Sequence, residues 1–363
     1  MSRHQSRCTV VQMKPVTPSI ILATLALAAS PALAVDFPIH GDQLNAGERV
    51  VTKVHGTGGG PQTGAKDLRI LHRLADNNWR FLEDGKTDES VNGNYLIYAR
   101  PFFAMAGGTV VGCWRNAPEG TGHNKRPEVG TKKILLQGNH LWIKQADGKI
   151  ALYAHAIPGS IPSSLCPNNA QFLTGTALPG PVPTQPEAIV TAGATVVAGQ
   201  QLGLIGNSGN SSEAHLHVHM VDSTNTWQPM KFDRGQTTSF ASGSASLNGP
   251  WTALKGNSLP MATILIWPPH PIGNWTHNGI DSAGFQRIFD HYVDSGMMAD
   301  TITCKNNGAT YDTTWVPAKG TWRAAAGMDF FDYIQKNSTN VSQGFTQTSV
   351  YLCTTRIAAI WRK

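Results

Sequence analysis

Short runs of alternating apolar and polar residues occupy most of the chain before residue 280, and glycine, proline, threonine and valine punctuate them. Such runs predict short β-strands joined by turns, because successive side chains of a strand point to opposite faces. Patterns of helical period are scarce in this part of the chain. We therefore expect residues 35–230 to form a mainly β, mostly antiparallel, sandwich-like domain.

The pattern changes near residue 280, where two similar segments follow one another. Each segment is predicted to contain an amphipathic helix, a glycine, a strand with a cysteine and a closing tryptophan. The positions are 285–292, Gly296, Cys304 and Trp315 in the first segment and 330–335, Gly344, Cys353 and Trp361 in the second. Repeats of this kind bury their apolar faces against each other. Residues 280–363 are therefore predicted to form a small α+β repeat module, and the Ser-, Gly- and Asn-rich region within 231–279 a linker.

The first 34 residues have the pattern of a secretory signal peptide. Basic residues precede an apolar run over residues 20–29, and Ala32-Leu33-Ala34 offers small residues for cleavage. The run is too short to cross a membrane as a helix, and no later apolar run approaches the roughly 18 residues that a span requires. We expect a secreted or periplasmic protein with no membrane anchor.

Loss of this segment would change the charge and the cysteine count. It contains three basic residues and no acidic ones, so its removal lowers the formal net charge from +6 to +3. No dense Lys/Arg run remains, and no nucleic-acid partner is expected. The remaining cysteines are even in number, which suits disulfides in an oxidising compartment. Their grouping favours Cys113–Cys166 and Cys304–Cys353, and zinc ligation is the alternative.

A glycine-rich turn at residues 206–209 leads into a predicted strand that carries His215, His217 and His219. Strand alternation places the three imidazoles on one face. Imidazole is both a common zinc ligand and the usual acid–base group near neutral pH. Neighbouring histidines about 6.6 Å apart can divide these roles, whereas the outer two, about 13 Å apart, are too far apart to share one ion. A solvated polar strand face is the alternative interpretation.

Together with three upstream blocks, this turn and strand resemble the lysostaphin-like zinc endopeptidases of the M23 family. Segment 99–112 is similar to the family's first core strands, and 138–155 is similar to its central hairpin, which ends here in Leu152-Tyr153-Ala154-His155. Segment 190–206 resembles the strand that feeds the histidine turn. The blocks follow the family's order over about residues 95–222. The C-terminal segments resemble a bacterial tandem-repeat domain found beside secreted hydrolases.

The resemblance implies a chemistry for these histidines. His217 would be a ligand of one zinc ion, and His215 and His155 would act as general base and as stabiliser of the oxyanion. Zinc lowers the pKa of water and polarises a carbonyl, which suits peptide hydrolysis. The implied substrate is a peptidoglycan cross-link or a Gly-rich peptide. The alternative is a catalytically inactive member that binds cell-wall peptide or activates a partner hydrolase. The sequence indicates no oligomeric state.

The family's first metal motif, His-x-Gly-x-Asp, is missing from its usual place, since residues 84–95 contain no histidine. Two pairs could replace it. His72 and Asp76 have the right types and order but lack the central glycine. His277 and Asp281 have the spacing and the glycine but follow the histidine strand. A catalytic zinc needs three protein ligands, so the completeness of the metal site stays open at this point.

Plainer interpretations of these residues also exist. His72 would be a surface residue in a charged strand, and the turn at 277–281 would cap the next helix. Residues 35–65 are a candidate prosegment that covers the groove, with His55 as a ligand that blocks the metal.

Overall fold

A computed structural model of the chain describes residues 21–24, 35–55, 60–121, 134–174, 188–240 and 245–363. The chain divides into two compact units. The large unit comprises Leu27–Gly273 and Gln286–Met297, and the C-terminal unit comprises Asn274–Phe285 and Met298–Lys363, together with Met1–Ala26. The predicted signal peptide, residues 1–34, lies outside the described residues except for strand β1 (Ile21–Thr24).

The large unit is built from antiparallel β-strands. They are β2 (Glu48–His55), β3 (Ala65–Arg73), β4 (Trp79–Arg80), β5 (Pro101–Phe103), β6 (Gly108–Trp114), β7 (Asn139–Gln145), β8 (Ile150–Ala156), β9 (Thr195–Val196), β10 (Gln201–Leu204), β11 (Leu216–Val221), β12 (Trp227–Gln228), β13 (Lys231–Phe232), β14 (Gln236–Ser239), β15 (Thr252–Ala253), β16 (Asn257–Ser258) and β17 (Ile264–Trp267). The main sheet has the order β15-β14-β17-β2-β3-β11-β8-β7-β6-β9, with β4 beside β3 and β12 beside β11. Strands β5 and β10 pair separately, as do β13 and β16. The prediction of a mainly β, mostly antiparallel fold is confirmed.

The blocks singled out in the sequence fall on strands of this unit. Segment 99–112 contains β5 and most of β6, and 138–155 contains β7 and nearly all of β8. Segment 190–206 contains β9 and β10, and the histidine strand is β11. In the β7–β8 hairpin the amide of Gln145 donates to the carbonyl of Lys149, which closes the turn between the two strands.

The central strands β8 and β11 are buried along their whole length, because both faces of the sheet are covered. In β11 the even-numbered residues Leu216, Val218 and Met220 enter the main hydrophobic core. Fully burying such side chains stabilises the fold by about 1.5–3 kcal/mol each. The odd-numbered residues His217 and His219 therefore lie on the opposite face, which we call the histidine face.

Residues 231–273 do not form the predicted linker. Strand β17 joins the main sheet by pairing with β2, from Ile264 opposite Thr52 to Ile266 opposite Val50. Strand β14 pairs in turn with β17. The Ser- and Gly-rich sequence belongs to the connection between β14 and β15. The apolar residues 264–267, which follow it, form strand β17.

Residues from 275 onward contain six strands and two helices. They are β18 (Trp275–Asp281), α1 (Phe285–Asp294), β19 (Met297–Lys305), β20 (Thr310–Pro317), β21 (Thr321–Met328), α2 (Phe330–Ser342), β22 (Thr346–Cys353) and β23 (Arg356–Arg362). Two sheets have the orders β18-β20-β19 and β1-β21-β23-β22. Each half thus contains the expected helix and hairpin, with an additional strand before the helix. No helix among the described residues is long and apolar enough to cross a membrane.

The cysteines follow the favoured pairing in part. Cys113 and Cys166 form a disulfide, with Cα atoms 5.6 Å apart. Cys304 and Cys353 are buried free thiols instead of a disulfide. The two thiols are hydrogen-bonded to each other, and burial together with this contact raises the pKa of Cys304 to about 12.

Candidate active site

Asp67 on β3 is the carboxylate at the centre of the histidine face. The strand register places it directly opposite His217 on β11. Its Oδ1 atom lies 2.8 Å from Nδ1 of His217, and its Oδ2 atom lies 3.1 Å from Nδ1 of His55. Nε2 of His215 is 3.5 Å from Oδ1. Three imidazoles thus surround one buried carboxyl group.

These contacts keep Asp67 ionised. Burial favours the protonated carboxyl group, but hydrogen bonds with His215, His217 and His55 outweigh it and hold the pKa of Asp67 well below its usual range. The same hydrogen bond raises the pKa of His55. Burial lowers the pKa of His217 in spite of the adjacent carboxylate. The site therefore combines a fixed negative charge with neutral His217, which is the form of imidazole that binds a metal.

His55 is the last residue of β2 and belongs to the sheet. Strand β2 pairs with β3 over its whole length and with β17 on its other side. The prosegment prediction is therefore wrong for Glu48–His55, because a central strand cannot leave without opening the sheet. The side chain of His55 is 45% exposed and that of Asp67 is 11% exposed. Solvent thus reaches the site from the side of His55.

Two groups of side chains bring ligand atoms close enough for one metal ion. The atoms of His55, Asp67 and His217 lie within 4.8 Å of one another, as do those of His155, His215 and His217. Ligand atoms around tetrahedral zinc are about 3.3 Å apart, given zinc–ligand bonds near 2.0–2.1 Å. In the first group the carboxylate of Asp67 lies 2.8 Å from Nδ1 of His217 and 3.1 Å from Nδ1 of His55. Two imidazoles and one carboxylate are also a known ligand set of catalytic zinc, so these residues fit the metal.

A β-bulge turns His155 towards the site. Two steps along β7, from Asn139 to Leu141, are matched by three along β8, from Ala156 to Tyr153. Strict alternation after Ala154 would point His155 into the core. His155 instead has φ +72°, in the left-handed region, and its ring centroid lies 4.7 Å from that of His215. Bulges often redirect a side chain in this way next to an active site.

Backbone carbonyls fix the tautomers of His155 and His215. Nδ1 of His155 lies 2.8 Å from the carbonyl oxygen of Ser208, and Nδ1 of His215 lies 2.8 Å from that of Glu213. A carbonyl only accepts, so each Nδ1 carries a hydrogen, and neutral His155 has its lone pair on Nε2. Nε2 of His215 instead faces Oδ1 of Asp67 at 3.5 Å. Burial, followed by the neighbouring histidines, lowers the pKa of His155 well below its usual value. His155 is therefore a neutral proton acceptor near pH 7.

The glycine-rich turn is held by the half-buried carboxyl group of Glu119. The amide of Asn207 donates to Glu119 Oε1 at 2.7 Å, and the hydroxyl of Tyr98 donates to Oε2 at 2.8 Å. Burial raises the pKa of Glu119. A Cβ at Gly206 would collide with the same carboxyl group, and Gly209 has φ +80° against the backbone of Gly138. Glycine is required at both positions, and the turn places the carbonyl that orients His155.

The pairs proposed from sequence lie elsewhere. His72 is five residues beyond Asp67 on β3, about 17 Å along the strand, and pairs with Glu48. The carboxylate of Asp76 accepts from the amide of Asn78 in an exposed turn. His277 and Asp281 lie on β18 in the C-terminal unit. None of the four belongs to a candidate metal group in the part of the chain that the structure covers. Their place is taken by His55 and Asp67.

Comparison with known proteins gives weak likenesses only. No protein-family model matches the chain. The catalytic domain of the antimicrobial peptidase lysostaphin from Staphylococcus simulans is similar at 19% identity and TM-score 0.19, over 40% of this chain and 82% of that one. A zinc-containing peptidase from Vibrio cholerae is similar at 14% identity and TM-score 0.21, over 45% and 48%. The solution structure of lysostaphin gives 14% identity and TM-score 0.16, over 76% and 84%. Superpositions at this level do not establish a common fold, so functional inference rests on the geometry of the histidine face.

Proposed function

We propose that this protein is a secreted zinc metallopeptidase of the M23 type, which hydrolyses peptide bonds of peptidoglycan cross-links or Gly-rich peptides. One observation carries the proposal. The ligand atoms of His55, Asp67 and His217 converge on the histidine face, and His155 and His215 stand beside them. Metal-assisted hydrolysis of a peptide bond needs a set of three protein ligands and a neighbouring acid–base group, and the site offers both.

His55, Asp67 and His217 would hold the ion. Two of these residues are buried and held by the sheet register, so they are oriented before the metal binds. Three protein ligands leave a fourth coordination position open. Bound there, zinc supplies Lewis acidity, which polarises a scissile carbonyl and makes water a better nucleophile.

His155 and His215 would handle the protons. Their Nδ1 atoms are bound to backbone carbonyls, so the lone pair on Nε2 of His155 is available for chemistry, while Nε2 of His215 faces the carboxylate of Asp67. One ring can take the proton of the attacking water at Nε2. As an imidazolium it then donates that proton to the leaving amine, while the other ring would stabilise the developing oxyanion through a hydrogen on its own Nε2. Their ring centroids lie 4.7 Å apart, which lets both act on one scissile bond.

Secretion is supported by the disulfide between Cys113 and Cys166, since disulfides persist in oxidising compartments. The proposal includes removal of residues 1–34 as a signal peptide. N-terminal sequencing of the exported protein would locate the cleavage site, which we expect after Ala34.

The test combines metal content with cleavage. The purified protein is dialysed against a weak chelator, zinc per chain is measured by elemental analysis, and purified peptidoglycan and a pentaglycine peptide are incubated with it. We expect about one zinc per chain and new peptide termini by mass spectrometry, both lost in His217→Ala. Zinc without cleavage of either substrate would support the binding alternative. Cleavage that persists in His217→Ala would overturn the proposal.

A further inference from the structure

We propose that His219, which belongs to neither group of candidate ligands, is a positioning residue that orients His217 towards the metal. Nδ1 of His219 lies 2.9 Å from Nε2 of His217. Nδ1 of His217, on the other side of the ring, faces Oδ1 of Asp67 at 2.8 Å. Both nitrogens of the His217 ring are therefore engaged, which fixes its rotation. This inference rests on the proposed function, because it concerns the same metal centre.

Packing fixes His219 in turn. The residue is 3% exposed, and its ring stands edge-on to Trp142 with centroids 5.3 Å apart. The sheet register places Leu152 opposite it on β8, and Trp142 and Leu152 belong to one apolar cluster on the histidine face. Ligand geometry must be held to within about 0.5 Å for a functional site, and a neighbour with a rigid, packed ring provides that constraint.

Histidine suits this position because its Nδ1 can either donate or accept. Ionised Asp67 only accepts, so without metal Nδ1 of His217 carries the hydrogen, and Nε2 accepts from Nδ1–H of His219. When Nδ1 of His217 is a ligand, its hydrogen resides on Nε2 and is donated to Nδ1 of His219. His219 then carries its own hydrogen on Nε2. Each neutral ring keeps one hydrogen, and the contact survives in both states.

The experiment compares zinc affinity in His219→Phe and His219→Gln. Phenylalanine keeps a packed ring without the hydrogen bond, whereas the glutamine amide can donate or accept. His291→Gln is a matched control, since His291 is also buried and makes a histidine–histidine contact of 2.9 Å with His270, away from the site. Zinc dissociation constants are measured by competition with a chromophoric chelator, and the melting temperature of each metal-free protein is recorded.

We expect His219→Phe to weaken zinc binding about 10- to 100-fold, as outer contacts of metal ligands generally do. His219→Gln should recover much of the loss, and His291→Gln should bind zinc as the wild type does. Unchanged affinity in His219→Phe would overturn the positioning role while leaving the proposed function intact. A wild-type protein that takes up no zinc would overturn both.

Nitrogen-15 NMR of the imidazoles adds a readout that loss of packing does not mimic. Zinc should move the hydrogen of His219 from Nδ1 to Nε2 and exchange the characteristic shifts of the two nitrogens. A His219 tautomer that is the same with and without bound zinc would contradict the inference.

Discussion

Asp67 and His217 lie opposite each other on adjacent strands, with Oδ1 of the carboxylate 2.8 Å from Nδ1 of the imidazole. They are 150 residues apart in the chain. A carboxylate held this way is an oriented candidate for a metal ligand and also the acceptor that fixes the imidazole ring. The proposed metal site therefore depends directly on this pair.

Replacement of Asp67 tests the ligand set. Asp67→Ala removes one ligand and leaves three histidines without their acceptor, so we expect zinc binding to fall at least 100-fold and peptide cleavage to be lost. Zinc content and turnover of a pentaglycine peptide measure the two effects. Asp67→Asn keeps the shape but lacks the charge, and it should retain little more metal than Asp67→Ala.

The control for Asp67 uses the alternative ligands on the same strand and the turn that follows it. His72→Ala and Asp76→Ala remove the pair expected from sequence, which lies away from the histidine face. Both variants should keep their full zinc content and activity. Loss of zinc in either variant would contradict the assignment of Asp67 and His55.

Replacement of the proton-handling histidines should separate metal binding from turnover. His155→Ala and His215→Ala leave His55, Asp67 and His217 in place, so about one zinc per chain should remain. Turnover should fall about 10²- to 10⁴-fold, the usual contribution of a positioned acid–base group. If either variant loses its zinc, that histidine serves as a ligand and the second candidate group is the metal site.

The disulfide between Cys113 and Cys166 is expected to raise the free energy of unfolding. Cys113 and Cys166 close a loop with a sequence separation of 53 residues. The chain-entropy model assigns about 4 kcal/mol to a loop of this length. The double variant Cys113→Ala/Cys166→Ala should lose a free energy of unfolding of that order in urea titrations. Reductant should destabilise the wild type and leave the double variant unchanged. Equal sensitivity of both proteins would contradict the pairing.

Asp294, the last residue of α1, is expected to make the stability of the protein depend on pH. Burial raises its pKa from 3.8 to about 6 and outweighs the hydrogen bond from the amide of Gly235 and the nearby charges of Lys255 and Arg234. Its stabilising contribution is complete below about pH 4 and is lost as the pH rises to about 6, because only the unfolded chain ionises easily. The loss should be about 1–3 kcal/mol.

Asp294→Asn removes this pH dependence and keeps an acceptor for the Gly235 amide. Unfolding in urea at pH 4.5 and pH 7 should show a smaller drop in stability for the variant than for the wild type. An identical drop in the two proteins would show that Asp294 is not the responsible group.

Local patterns predicted the strands and the histidine motif well. The hairpin from Asn139 to Ala156 and the strand with His217 are local features with turn residues and apolar alternation, and both lie where the sequence indicated. The predicted linker is wrong because the short apolar run Ile264–Trp267 forms a strand within a region whose composition is typical of a linker. Whether two segments pair as strands of one sheet depends on the rest of the fold. The composition of either segment alone does not predict that pairing.

Local sequence patterns could not identify His55 and Asp67 as a pair of candidate ligands. His55 and Asp67 are 12 residues apart, and a glycine-rich segment separates them, so no motif with four-residue spacing finds them. Their convergence follows from hairpin register, and the contact with His217 follows from the order of strands. The orientation of His155 depends on a bulge, where the left-handed backbone reverses the expected alternation. These relationships exist only after the sheet has formed.

Strand β11 lies between β3 and β8 in the sheet, although it is the last of these three strands in the chain. During folding, the segment with His217 must enter a gap between two strands that precede it in the chain. Long-range insertions of this kind are slow, because a large loop must close before its contacts form. The hairpin of His55 and Asp67 can form early, but it offers only two ligands. Under the proposed function, tight metal capture is therefore expected to be a late event, and zinc content would measure how many molecules have inserted β11.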